Sequence, residues 1–157
     1  MDLPDDFRDL LVCLHDAGAE IAIVGGYAVA FHGHVRATKD LDVLIRPTAE
    51  NARKVYRGLA AFGAPLAAFE VSDADFATYD GVLQIGVAPV RVDILNRIAV
   101  PFDEVIADGD RLDVEGRSIA VIGRDALIRA KRAAGRPQDI ADVAALERSD
   151  DVEPAQG

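Results

Sequence analysis

The chain has 157 residues, half of them hydrophobic, and a formal net charge of −10. That length and apolar content suit one domain with a core of its own, and the acidic balance argues against broad binding of duplex nucleic acid, which calls for a basic surface. No apolar run approaches the roughly 20 residues of a membrane span, the acidic start Met1-Asp2-Leu3-Pro4-Asp5-Asp6 is unlike a signal peptide, and the single cysteine, Cys13, excludes an internal disulfide, so a cytoplasmic location is the expectation.

Residues 3–17 carry Phe7, Leu10, Leu11 and Leu14 at helical spacing, and Gly18 ends the pattern. Ile21-Ala22-Ile23-Val24 reads as a short buried strand, broken by Gly25-Gly26. Residues 27–32 read as a short helix ending at Gly33. A second strand covers 41–45, closed by Pro47, and Thr48 is placed to cap a helix running to about Phe62. A helical turn is expected within 73–79. Strands at 82–87 and 90–95 flank Ala88-Pro89 as a hairpin, a short helix follows at 103–108, and a second hairpin turns at Glu115-Gly116. Two helices close the chain, 125–134 and 137–147, separated by Gly135. Pro137 suits a first helical position. Hairpins together with one strand–helix–strand crossover imply an α+β fold, a mixed sheet with helices packed on it. The expected domain is 1–148, with 149–157 an acidic, polar, disordered tail.

Chemistry concentrates between Ile23 and Ile45. Strand alternation points Asp40 and Asp42 to one face while Leu41, Val43 and Ile45 point to the core. Adjacent carboxylates repel, and stay ionised together only with cations or donors between them. Hard oxygens at this spacing suit magnesium. Asp93 interrupts the apolar strand Val90-Arg91-Val92-Asp93-Ile94-Leu95, a costly position unless it is paired or metal-bound. Gly25 and Gly26, at a strand-to-helix junction, allow close approach of a phosphate to the backbone. Each feature has a plainer reading. A Gly-Gly pair is commonly only a turn, an Asp-x-Asp only a solvated strand edge, and Asp93 could pair with Arg91. Their coincidence is what describes a triphosphate held by metals.

This order of strand, Gly-Gly, short helix, Asp-x-Asp and later strand Asp resembles the DNA polymerase β-like nucleotidyltransferase superfamily. The finer pattern, Gly25, Gly26, Ala28, His32, Gly33, Arg36, Thr38, Asp40 and Asp42, is similar to small bacterial AbiEii-type toxins of abortive-infection and toxin–antitoxin systems. So is the closing run from Lys131 through Gly135-Arg136-Pro137-Gln138-Asp139-Ile140-Ala141-Asp142. The resemblance covers most of residues 20–147 and implies transfer of a nucleoside monophosphate from an NTP to an acceptor hydroxyl, releasing pyrophosphate. It implies two Mg2+ ions on Asp40, Asp42 and Asp93, and a nucleotide held by Gly25, Gly26, Arg36, Thr38 and Lys131. Larger relatives add an acceptor-binding domain for which this chain has little room, so the acceptor site is expected to be reduced or supplied by a partner protein or second copy. An RNA end, a small-molecule hydroxyl and a protein side chain all remain open as acceptors.

Arg124, Arg129, Lys131, Arg132 and Arg136 form a basic run in an acidic protein. Lys131 is the preferred phosphate contact by resemblance; the plainer reading is a solvated face paired with Asp and Glu. His32 and His34 flank Gly33, and with no cysteine or further histidine cluster to support zinc they read as a helix end rather than a zinc site. Two readings compete with a working enzyme: an inactive nucleotidyltransferase-like binding module or antitoxin partner, and a phosphohydrolase using the same aspartates.

Overall fold

The structure is a computed structural model that describes residues 1–34, 38–78, 82–87 and 90–151. Within these residues seven helices surround one six-stranded sheet. Helix α1 (Asp5–Asp16) leads into β1 (Ile21–Val24), α2 (Gly25–Phe31) and β2 (Asp40–Ile45). Then come α3 (Ala49–Phe62), α4 (Asp75–Thr78), β3 (Val82–Val87) and β4 (Val90–Leu95). The chain continues through α5 (Phe102–Ala107), β5 (Asp110–Val114), β6 (Arg117–Val121), α6 (Arg124–Ala134) and α7 (Pro137–Asp151).

The sheet order is β3-β4-β2-β1-β6-β5. Neighbours β1 and β2 are antiparallel, whereas β2–β4 and β1–β6 are parallel. Two antiparallel hairpin pairs, β3–β4 and β5–β6, form the two wings. The mixed sheet expected from the hairpins and the crossover is present.

Local chemistry accounts for most boundaries. Thr48 accepts a hydrogen bond from the Asn51 backbone N–H at 3.2 Å, so α3 begins where its cap is placed. Gly63 and Gly135 end α3 and α6 in the left-handed region. Asn51 is buried and bonds three backbone groups: it accepts from Glu20 N at 2.7 Å and donates to Glu20 O at 3.0 Å and Arg46 O at 2.9 Å. It ties the entry of α3 to the start of β1 and the end of β2.

One face of the sheet is apolar: Leu41, Val43 and Ile45 of β2 are fully buried, in register with Val92 and Ile94 of β4 and Ile21 and Ile23 of β1. Helix α1 buries Phe7, Leu10, Leu11 and Leu14 and packs tightly on α3, where a Cβ at Gly58 would lie 2.9 Å from the Leu14 Cα. Helix α7 differs from expectation. It continues to Asp151, through the first residues of the segment read as a tail. The rest of that segment, 152–157, lies outside the described residues.

Candidate active site

The parallel pairing of β2 with β4 sets Asp42 opposite Asp93 and Asp40 opposite Arg91. Alternation brings all three aspartates to the face away from the apolar layer, and the two carboxyls of Asp42 and Asp93 are hydrogen-bonded. Burial, the charge of Asp93, that hydrogen bond and the charge of Asp40 push the Asp42 carboxyl up to about 7, with Lys131 pulling the other way. The Asp42 carboxyl is thus too crowded and too buried to ionise as readily as an ordinary aspartate. Asp93 also accepts from Gln84 Nε2 at 3.0 Å, across the β3–β4 ladder.

Asp40 sits one alternation away. Its Oδ1 is shielded from solvent without a hydrogen bond, although Arg91 Nε lies 3.4 Å from it. Arg91 thus pairs with Asp40 and not with Asp93. Among the described residues no group of three or more His, Cys, Asp or Glu side chains stands together as a ready metal cage. The close pair is Asp42–Asp93. The donors nevertheless suit a hard cation: an all-carboxylate set, mutual repulsion at Asp42 that a cation would relieve, and one buried oxygen short of a hydrogen bond.

Gly25 explains why the strand must end as it does. Its φ is +68°, and a Cβ there would fall 1.9 Å from the Asp42 Oδ2. Only glycine leaves room for that carboxylate against the β1–α2 junction. Gly26 is buried one residue on, within α2.

A cavity of about 360 Å3 opens beside Asp42, between the sheet and α6. Gly25, Leu95, Ile122, Leu127 and Lys131 are among its lining. Lys131 is only 7% exposed, and its Nζ lies 3.3 Å from Asp139 Oδ1 and 2.9 Å from Asp142 Oδ2, both carboxylates on α7 and each 2% exposed. Asp139 also receives Arg136 Nε at 2.7 Å. The other basic side chains of the run are engaged too: Arg129 pairs with Glu104, Arg132 with Glu147, and Arg124 donates to the Leu146 carbonyl. Charge pairing, the plainer reading of that run, describes all five side chains, and Lys131 departs from it only in being buried on the cavity wall and not on a solvated face.

Thr38 Oγ1 donates to the Asp40 carbonyl at 3.4 Å, which steadies the approach to β2. Arg36 lies outside the described residues. His32 Nε2 is 2.8 Å from the Ile122 carbonyl and His34 Nε2 is 2.7 Å from the Ala145 carbonyl, so both histidines anchor the end of α2 to neighbouring segments. Sequence reasoning passed over Gln84, Asp139 and Asp142 as site residues. Asp139 and Asp142, three apart, share a helix face with the buried Val143 and Leu146, a spacing that marks the common face but not the partner it meets.

No curated protein matches the chain. Solved structures do. The lincosamide antibiotic adenylyltransferase LnuA, bound to lincomycin, is 16% identical with a TM-score of 0.61, over 92% of this chain and 96% of that one. The antibiotic-resistance factor ANT(2'')-Ia is 14% identical with a TM-score of 0.59, over 92% and 82%. An antigenic nucleotidyltransferase-like protein from Paracoccidioides brasiliensis is 18% identical with a TM-score of 0.53, over 92% and 77%. At these identities the likeness is one of fold. The family match is of the sequence itself and spans residues 4–153. The chain belongs to the family described as "Nucleotidyl transferase of unknown function (DUF2204)".

Proposed function

We propose that this protein is a magnesium-dependent nucleotidyltransferase that moves a nucleoside monophosphate from an NTP to an acceptor hydroxyl and releases pyrophosphate. The observation that carries the reading is the Asp42–Asp93 pair, set on adjacent parallel strands and seated against Gly25.

Asp42 and Asp93, with Asp40 beside them, would hold the magnesium ions, which supply charge neutralisation of the triphosphate and of the departing pyrophosphate. The residues themselves supply the geometry. Gly25 seats the Asp42 carboxylate at the cavity and Lys131 lines the same cavity; with Gly26 these are the proposed phosphate contacts. Arg36 and Thr38 belong to the same nucleotide-binding proposal, Thr38 through its bond to the strand that carries Asp40. Asp93, hydrogen-bonded to Asp42, is placed to take the proton of an attacking hydroxyl.

The acceptor proposed first is a small-molecule hydroxyl. LnuA, which the chain covers almost fully, is solved with lincomycin, and ANT(2'')-Ia is solved with adenylyl-2''-tobramycin. The cavity beside Asp42 is of a size for a drug-like ligand and largely apolar in its lining. The AbiEii-like motifs favour a toxin–antitoxin role with RNA as acceptor, which is the second reading.

Labelled nucleoside triphosphates and magnesium, offered with lincomycin, tobramycin and RNA in turn, test both. The expected result is pyrophosphate released in step with one nucleotidylated acceptor. Orthophosphate in its place would mean a phosphohydrolase, and no nucleotide binding at all would mean an inactive binding module.

A further inference from the structure

Lys131 is the residue whose surroundings the transferase reading does not explain. A lysine at 7% exposure is expected to lose its charge or to reach for solvent. Here two almost fully buried carboxylates from the next helix face its Nζ at 3.3 and 2.9 Å. Burying three charged groups is costly, and replacing such a cluster with apolar side chains often stabilises a fold. A cluster kept inside the wall of a cavity therefore invites a reason other than stability.

The geometry offers one. An ammonium has three donors. Asp139 and Asp142 account for two, and Lys131 lines the same cavity as Asp42. The two carboxylates are themselves held. Asp139 receives the Arg136 backbone N–H at 3.2 Å and the Arg136 side chain at 2.7 Å, and Asp142 receives Gln138 Nε2 at 2.9 Å. The cluster thus holds the lysine through two of its three donors at the wall of the cavity.

We infer that Asp139 and Asp142 are positioning residues: they hold the charged Lys131 ammonium at the wall of the Asp42 cavity as a ready contact for the triphosphate. The inference rests on the nucleotidyltransferase reading. Without the two carboxylates the buried lysine would turn toward solvent or give up its proton, and the contact would be lost in either case.

The test is a double-mutant cycle read by calorimetry with magnesium-ATP and, separately, with AMP. D142N and D139N are each made alone and in combination with K131A, with circular dichroism to check the fold. Each Asn variant is expected to weaken ATP binding about tenfold, the scale of one charge-assisted hydrogen bond, with a smaller effect on AMP. Each double variant should bind ATP no more weakly than K131A. Additive losses would make the aspartates merely structural, and tighter ATP binding in the Asn variants would make them competitors of the phosphate; either overturns the inference. So does failure of both Asn variants to fold, since the cluster would then be holding the domain and not the lysine. If the wild type binds no magnesium-ATP, the transferase reading itself fails. Binding by the wild type with additive losses sinks the positioning role only.

Discussion

At Asp42 three unfavourable influences coincide: burial, the charge of Asp93 and the charge of Asp40. Replacing it with the neutral, isosteric Asn removes the repulsion and keeps the shape. Asp42→Asn is therefore expected to leave the fold intact and to melt no lower than wild type in metal-free buffer at pH 8, which differential scanning calorimetry reads. Transfer should fall by roughly 100-fold or more, since loss of a partner one step further from a metal already costs 10–100-fold. A large drop in melting temperature would make Asp42 structural. Gly25 behaves oppositely. Its φ of +68° and the 1.9 Å approach of Asp42 Oδ2 to a hypothetical Cβ leave an alanine no room. Gly25→Ala should cost about 1–3 kcal/mol in backbone strain and displace the carboxylate as well, so urea unfolding and nucleotide affinity should both suffer. Wild-type values for both would show that the junction can relax. At this scale the sequence was partly legible. Gly25, Asp40, Asp42 and Asp93 stood out because strand alternation and a strand-ending glycine are local rules. The partners of Lys131 did not, because pairing across a helix–helix turn depends on how α6 and α7 pack, which no spacing in the chain states.

At the scale of elements, local signals set most limits. Thr48 caps α3, Glu115-Gly116 turn the last hairpin with φ of 50° and 83°, and Gly135 separates α6 from α7. The misjudged limit was the end of α7. Its acidic, polar composition read as a tail, yet the helix carries on to Asp151, since helix propagation tolerates charged residues well. Asn51 shows what local reading leaves out. It looks like an ordinary first-turn polar residue, but it is buried and joins three strand-end backbone groups. Asn51→Ala should leave those groups short of partners and cost about 2–3 kcal/mol, measured by denaturant titration, with nucleotide affinity of the folded fraction unchanged. A cost under about 0.5 kcal/mol, the range of ordinary surface substitutions, would mean water replaces the amide.

For the whole molecule, the pH dependence of stability follows from shifts in opposite directions. Asp42 is raised to about 7, so the metal-free protein is favoured while that carboxyl stays protonated and loses stability as pH climbs from near 4 toward 7. Asp139 feels burial, which raises it, but the bonds from Arg136 and Lys131 win and hold it below the usual carboxylate range. Its contribution is present above the ordinary carboxylate pKa and is lost as pH falls through its lowered value. Metal-free melting temperature is expected to peak on the acidic side of neutrality and to decline toward pH 8. Asp42→Asn should flatten that decline, and a neutral or alkaline peak unchanged by the substitution would contradict it. The raised Asp42 carboxyl also has a thermochemical consequence, through the proton it carries below neutral pH. If magnesium displaces that proton, uptake of the ion near pH 6 discharges it into the solvent, and the buffer must absorb it. The apparent heat of magnesium binding should then vary with the ionisation enthalpy of the buffer, differing between phosphate and Tris, and the slope of that dependence counts the protons released.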